Sequence, residues 1–141
     1  MIEKLNLNST YFDTLEEKFT DVFTKSKVKY DIENNIFTQY YTYKKDDEVV
    51  AFINYQIMYE RAELIQISVL DNYQNQGIAS ALIEYMINDL KTNKVESVTL
   101  EVKIINFKAI HVYEKFGFKK VGIRKGYYQG IDGILMEKEL I

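Results

Sequence analysis

The sequence predicts an α+β domain with a mostly antiparallel sheet. Three observations carry that expectation. Residues 36–43, 48–58 and 62–69 are β-branched and aromatic runs separated by short turns. Residues 77–90 then carry a wide apolar stripe at helical spacing, flanked by two strand-like runs. A second short helical stretch, 107–116, is followed by extended segments at 118–124 and 133–140.

The elements follow in order. Residues 2–7 suit a short first strand. Ser9 and Thr10 offer N-caps for a helical region reaching Lys25, in which Phe12, Leu15, Phe19, Val22 and Phe23 recur three to four apart. The chain has no proline, and no glycine before Gly77, so its early turns must rely on Asp and Asn, which tolerate left-handed backbone. Lys44-Lys45-Asp46-Asp47 is the clearest such turn, and Tyr59-Glu60-Arg61 supplies the next. Ile78, Leu82, Met86 and Leu90 lie four apart, with Ala79, Ile83 and Ile87 beside them. Val98, Leu100 and Val102 alternate as in a strand with one buried face. Phe107 to Phe116 reads as a helix, with Asn106 available as its cap and Gly117 as its stop. The strand–helix–strand unit across 62–102 makes its flanking strands parallel.

At 141 residues, one domain spanning 1–141 is expected, with enough chain for a real core. The absence of cysteine removes disulfides, thiol nucleophiles and thiolate metal sites. One histidine, His111, cannot build a multi-histidine centre, and no GxSxG elbow accompanies it. We expect no metal. A net charge of −3 disfavours nucleic acid as a partner. No apolar run is long enough to span a membrane, and the first residues, MIEKLNLNSTYF, lack the layout of a secretion signal, so a cytoplasmic location is expected.

The charge is uneven. Residues 1–76 hold 8 Lys/Arg against 13 Asp/Glu, and residues 77–141 hold 10 against 8. Seven of those ten positives fall between Lys103 and Lys125. They are either a solvated face or an anion-attracting rim.

Gly77, in DNYQNQGIASALI, admits two readings. It can simply begin the helix, or it can let a large anion approach backbone N–H groups left unpaired at the helix start. It is not a GxGxxG fingerprint, having one glycine, nor a P-loop, lacking GK[ST].

Taken together, Q-x-x-G-x-A at 74–79 and N-x-x-A-x-x-x-Y-E-x-x-G-F at 106–118 resemble the GCN5-related N-acetyltransferases (GNAT). The likeness covers residues 48–141 and is only one of general layout over 1–47. Within that family, LEVKIINFKAIHVYEKFGF and RKGYYQGIDGILMEKEL are most similar to the ribosomal-protein alanine N-acetyltransferases. Gly126 before the tyrosine pair, Gly133 after Asp132, and the lack of a proline after the tyrosines depart from that pattern.

The resemblance implies a three-layer α/β/α fold in which a splayed parallel strand pair holds acetyl-CoA. It places pantetheine along the backbone of Ile67, Ser68 and Val69. The pyrophosphate falls on the amides of Asn75, Gln76, Gly77, Ile78, Ala79 and Ser80, with Asn106 as a further contact. Acetyl transfer to an amine needs a neutral nucleophile, an oxyanion donor and help for the departing thiolate. By resemblance these are Glu101 as base, the Val69 N–H, and Tyr113 as acid. Glu101 also fits a plain solvent-facing strand position, and Tyr113 a core aromatic. Tyr127 and Tyr128 either line the acceptor cleft or pack on the sheet. The expected acceptor is a protein N-terminal α-amine. The alternatives are a small-molecule amine (polyamine, amino acid or aminoglycoside) and a non-catalytic CoA-binding module. Either a monomer or a homodimer is compatible with the sequence.

Overall fold

The computed structural model describes residues 1–141. In chain order the elements are β1 (Ile2–Lys4), α1 (Phe12–Lys18), α2 (Lys25–Asn34), β2 (Thr38–Lys45), β3 (Glu48–Met58), β4 (Arg61–Val69), α3 (Ile78–Thr92), β5 (Ser97–Lys103), α4 (Phe107–Lys115), β6 (Lys119–Tyr128) and β7 (Ile131–Glu139). A single-turn 3₁₀ helix, Asp71–Tyr73, precedes α3. All seven strands form one sheet in the order β1-β2-β3-β4-β5-β7-β6, antiparallel except where β4 meets β5. No helix is long and apolar enough to cross a membrane.

The β2–β3 turn forms as its residues require. Asp46 and Asp47 both take positive φ, 53° and 65°, between the paired Lys45 and Glu48. Two consecutive left-handed residues match the twist of a two-residue hairpin.

The helical region expected from Ser9–Thr10 to Lys25 is instead two helices. Phe12, Leu15, Phe19 and Phe23 are all buried, as their spacing implied. However, α1 ends at Lys18, and the chain turns before α2 begins at Lys25. Ser9 caps no helix, because its Oγ accepts the Asn6 N–H at 2.9 Å. The start of α2 is held from a distance, with the Lys25 N–H donating to Glu16 Oε2 at 2.8 Å. That bond crosses nine residues, and α2 buries only Val28, so local periodicity carries no sign of it.

Apolar side chains pack against the sheet in two clusters. In the smaller, Phe12, Leu15, Phe19, Phe23 and Val28 close over Val49 and Phe52, with Phe19 and Phe23 edge-on to Phe52 at 5.1 and 5.4 Å. In the larger, Leu82, Ile83, Met86 and Leu90 of α3 meet Ile53, Tyr55, Val98, Leu100, Val102, Ile134 and Met136, and Ile110 and Tyr113 of α4 join them. Strand alternation is why Val98, Leu100 and Val102 share this cluster while Glu101 faces the other way.

Buried and half-buried tyrosines make this packing sensitive to alkali. Burial first, then Asp31, pushes the Tyr40 phenol up to about 12. Burial alone pushes Tyr113 to about 12. Burial raises Tyr55 and Tyr41 further, Tyr55 also through its 2.6 Å hydrogen bond to Asp89 Oδ2. Each phenol holds its proton more tightly folded than unfolded, where ionisation falls near ~10. Their contribution is therefore complete below pH ~10 and is lost as pH rises through the folded values. The urea midpoint should fall steeply between about pH 10 and 12, and a flat midpoint across that window would contradict this packing.

The sheet is interrupted at the β4–β5 junction. The two strands pair over three residues only, Arg61↔Ser97 to Glu63↔Thr99. Just beyond, the register of β3 on β4 shifts, with Tyr55 facing Leu64 and Asn54 facing Gln66, so Ile65 is an extra residue. Such a bulge bends its strand and adds twist, and it falls where β4 parts from β5. The outer halves, Gln66–Val69 and Leu100–Lys103, enclose a wedge-shaped gap.

Candidate active site

Strand alternation decides which backbone groups face the gap. The Leu70 N–H bonds the Val50 carbonyl on β3 at 2.9 Å. Two residues back, the peptide groups of Ser68 also turn to β3, which leaves those of Ile67 and Val69 facing the gap. Ser68 was expected to offer its backbone as well; its pairing with Phe52 turns its peptide groups to β3. Its hydroxyl accepts from Gln66 Nε2 at 2.8 Å instead. The Val69 carbonyl is held by Gln74 Nε2 at 3.2 Å.

At the end of the gap the chain enters α3 through Gly77, the N-cap, at φ 82° and ψ 9°. The Gly77 carbonyl accepts from Ala81, but the N–H groups of Asn75, Gln76, Gly77, Ile78, Ala79 and Ser80 donate to no protein acceptor. Asn75 also lies at positive φ, 63°. A β-carbon at Gly77 would find nothing within 4 Å. Gly77 therefore begins the helix and also leaves open space over a row of unpaired donors. Donors of this kind, at the positive end of a 15-residue helix, suit a phosphate group.

That row borders a cavity of about 310 Å³ running from the gap to α4. Of the cofactor positions expected from sequence, Ile67, Val69, Asn75, Gly77, Ile78, Ala79, Ser80 and Asn106 line it. The Gln76 side chain turns away, with Oε1 accepting from Lys45 Nζ. Asn106 caps α4, its Oδ1 accepting from the Ala109 N–H at 3.2 Å. Tyr73, Gln74, Ile83, Lys108, Ala109 and Val112 also line the cavity and were not anticipated. Gln74 stands first in the Q-x-x-G-x-A motif, and Lys108 belongs to the positive run 103–125, so both signals were present. No carboxylate lines the cavity, which favours an anion although the chain as a whole is negative.

Tyr113 projects from α4 to the cavity and is 8% exposed, with its ring 5.8 Å from that of Phe118. Burial is the sole cause of its raised value, so no charged or hydrogen-bonding protein group acts on the hydroxyl. His111 is exposed.

Glu101 is absent from the cavity lining and lies on the opposite face of β5, in the splayed stretch. It is not a free surface carboxylate. Its Oε2 accepts from the Tyr128 hydroxyl at 2.9 Å, and its Oε1 lies 3.2 Å from Arg124 Nε. Burial first, then the Glu101 hydrogen bond, raises the Tyr128 phenol. Tyr127 is 59% exposed, edge-on to Tyr128 at 5.0 Å, with the Arg124 guanidinium 4.3 Å from its ring centre. The structure thus joins Glu101 to one of the two expected tyrosines and adds Arg124, which sequence reasoning missed. Tyr113 and Glu101 stand on opposite sides of the gap.

A seven-stranded sheet parted at one parallel pair, with an unpaired amide row and a cavity beside the opening, is a distinctive arrangement. Residues 7–118 match the family model described as Acetyltransferase (GNAT) family. The chain belongs to this family. Among GNAT relatives, the [ribosomal protein bS18]-alanine N-acetyltransferase of Escherichia coli is 37% identical over 89 residues, covering 63% of this chain and 60% of that protein. The aligned segment thus spans less than two thirds of that relative's length. The crystal structure of the E. coli ribosomal-protein alanine N-acetyltransferase superimposes with a TM-score of 0.84 at 26% identity, covering 99% of this chain and 94% of that one. Arabidopsis thaliana NAA60, in complex with acetyl-CoA, gives 0.81 at 20% identity over 99% and 98% of the two chains, a likeness of GNAT fold. The three-layer arrangement and splayed strand pair expected from sequence are those of this family.

Proposed function

We propose that residues 1–141 act as one acetyltransferase domain, transferring the acetyl group of acetyl-CoA to a primary amine, with a protein N-terminal α-amine as acceptor. The observation that carries this reading is the row of six unpaired amides, Asn75 to Ser80, at the head of a carboxylate-free cavity opening into the β4–β5 gap. The donor set fits a pyrophosphate, the gap-facing peptide groups of Ile67 and Val69 fit a pantetheine amide chain, and Asn106 and Lys108 border the rest. The alanine N-acetyltransferase likeness in sequence supports the α-amine acceptor.

Bound acetyl-CoA supplies an activated thioester. The residues on each side of the gap then divide the work. Glu101, on the acceptor face, takes a proton from the amine directly or through water, each of its oxygens keeping a lone pair beside its present partner. An α-amine ionises near ~8 and a lysine near ~10.4, so the α-amine needs less help from a carboxylate at neutral pH. The amine nitrogen bonds the carbonyl carbon, and the Val69 N–H stabilises the oxygen as it gains charge. The C–S bond breaks, Tyr113 presents its O–H to the sulfur, and the thiolate is finally protonated from solvent. No group of three or more His, Cys, Asp or Glu side chains is arranged to hold a metal.

The test is a thiol-release assay with acetyl-CoA and a panel of acceptors. Peptides beginning with Ala, Ser or Met should release CoA thiol, and the same peptides with blocked N-termini should not. Faster release with polyamines, amino acids or aminoglycosides would move the acceptor to the small-amine class. Tight acetyl-CoA binding without release for any acceptor would leave only a binding module.

A further inference from the structure

Gly133 sits on β7 opposite Lys103 of β5 and Arg124 of β6. Cross-strand partners share a sheet face, and Glu101, two residues from Lys103, lies on that same face. Gly133 is therefore the floor of a pit walled by Glu101, Lys103, Arg124 and Tyr128. It is buried, and its φ lies outside the positive region, so the backbone there accepts any residue. What excludes a side chain is space. A β-carbon would stand 2.8 Å from Glu101 Oε2 and 2.9 Å from Tyr128 Cε2. The Tyr128 ring lies across the bare Cα, with Lys103 Nζ 5.4 Å from its centre. In this position its hydroxyl reaches Glu101 Oε2 at 2.9 Å. The short β6–β7 turn, Gln129 and Gly130 at φ 52° and 93°, pairs Tyr128 with Ile131 and fixes where the ring starts. The Gly126 N–H, donating to Asp132 Oδ1 at 2.8 Å, braces the same hairpin.

We propose that Gly133 is a positioning residue for the transfer reaction: by lacking a β-carbon it seats the Tyr128 ring, and the seated Tyr128 and Arg124 together fix the direction of the Glu101 carboxylate toward the acceptor. This inference rests on the reading of Glu101 given above. Glycine here is not demanded by the backbone and departs from the alanine N-acetyltransferase pattern, so the need for it belongs to this chain's own short β6–β7 turn, and the contact it makes room for has no part in the apolar core. Its effect should therefore appear in turnover and in Tyr128, not in folding or in acetyl-CoA binding.

The experiment compares the wild type with Gly133→Ala, Tyr128→Phe and the double variant, using the full chain. Three quantities are read: kcat and KM for both substrates, thermal midpoint, and the ionisation of Tyr128 by NMR with ring-labelled tyrosine, its signal assigned by its absence in Tyr128→Phe. In Gly133→Ala, kcat should fall about 10- to 100-fold, the scale of a displacement near 1 Å at a reacting group. KM for acetyl-CoA and the thermal midpoint should stay near wild type. Tyr128 should ionise at lower pH, because its bond to the carboxylate is lost. The double variant should be no slower than the slower single variant, since both changes break one contact. An unmoved Tyr128 ionisation in Gly133→Ala overturns the proposal, as does a moved ionisation with unchanged kcat, or fully additive losses. Wild-type protein that acetylates nothing would count against the activity itself, while the ionisation arm would still report whether Gly133 seats the ring.

Discussion

Replacing Tyr113 with phenylalanine should lower kcat by about 100-fold or more, the usual scale for a proton-donating group, and leave acetyl-CoA affinity within about twofold. The ring stays, so the contact with Phe118 and the place in the larger cluster are kept. Only the hydroxyl is lost, and no hydrogen-bonding protein group acts on it, so folding should be almost unchanged. The pH dependence discriminates further. Burial pushes this phenol up to about 12, so it keeps its proton across the working range. Wild-type kcat should show no alkaline decline from Tyr113 below about pH 11. A thiol ionises near ~8.5, so complete transfer from such a phenol to a free thiolate would run uphill by roughly 3 to 4 units, or about 5 kcal/mol. The larger part of its role is therefore a hydrogen bond to sulfur while charge develops. Phenylalanine removes that bond in the transition state only, so kcat should fall without a matching rise in KM. Wild-type turnover in Tyr113→Phe would remove this residue from the mechanism.

Replacing Gly77 with valine should raise the Kd for acetyl-CoA by about 100-fold or more. Two effects of the substitution must be separated. At φ 82° any side chain is strained, costing about 1–3 kcal/mol in the free protein. That cost lowers the thermal midpoint whether or not a ligand exists. By contrast, a β-carbon there touches no protein atom within 4 Å, so the free protein offers it no clash. Affinity lost beyond the stability effect therefore reports occupation of that space by the ligand. Gly77→Ala is the companion measurement: it carries most of the strain and little of the bulk, and should weaken binding less than valine. Equal affinity across glycine, alanine and valine, by calorimetry with acetyl-CoA, would return Gly77 to the role of helix start alone.

The sequence revealed most where a residue's duty is local. The Asp46-Asp47 turn, the α3 stripe and the Asn106 cap each follow from neighbours a few residues away, and each formed as expected. The amide row was legible for the same reason, since one glycine before an apolar stripe marks a helix start. What stayed hidden depends on contacts distant in sequence. The break between α1 and α2 relies on Glu16 reaching Lys25. The bulge at Ile65 is a mismatch between two strands, and neither strand shows it alone. Arg124 reads as one more positive charge until β7 brings β6 beside Glu101. The orientation of Ser68 was hidden for a simpler reason: which way a peptide group points depends on register, and register is a property of pairs.

A sheet joined across only three residue pairs at its centre is mechanically two sheets. Backbone bonding between the first four strands and the last three is confined to that seam, so the union of the two halves falls to α3, whose apolar side packs on both. A rod-like amide chain lodged in the opening would add the missing rungs. The donor proposed above would then complete the scaffold that holds it.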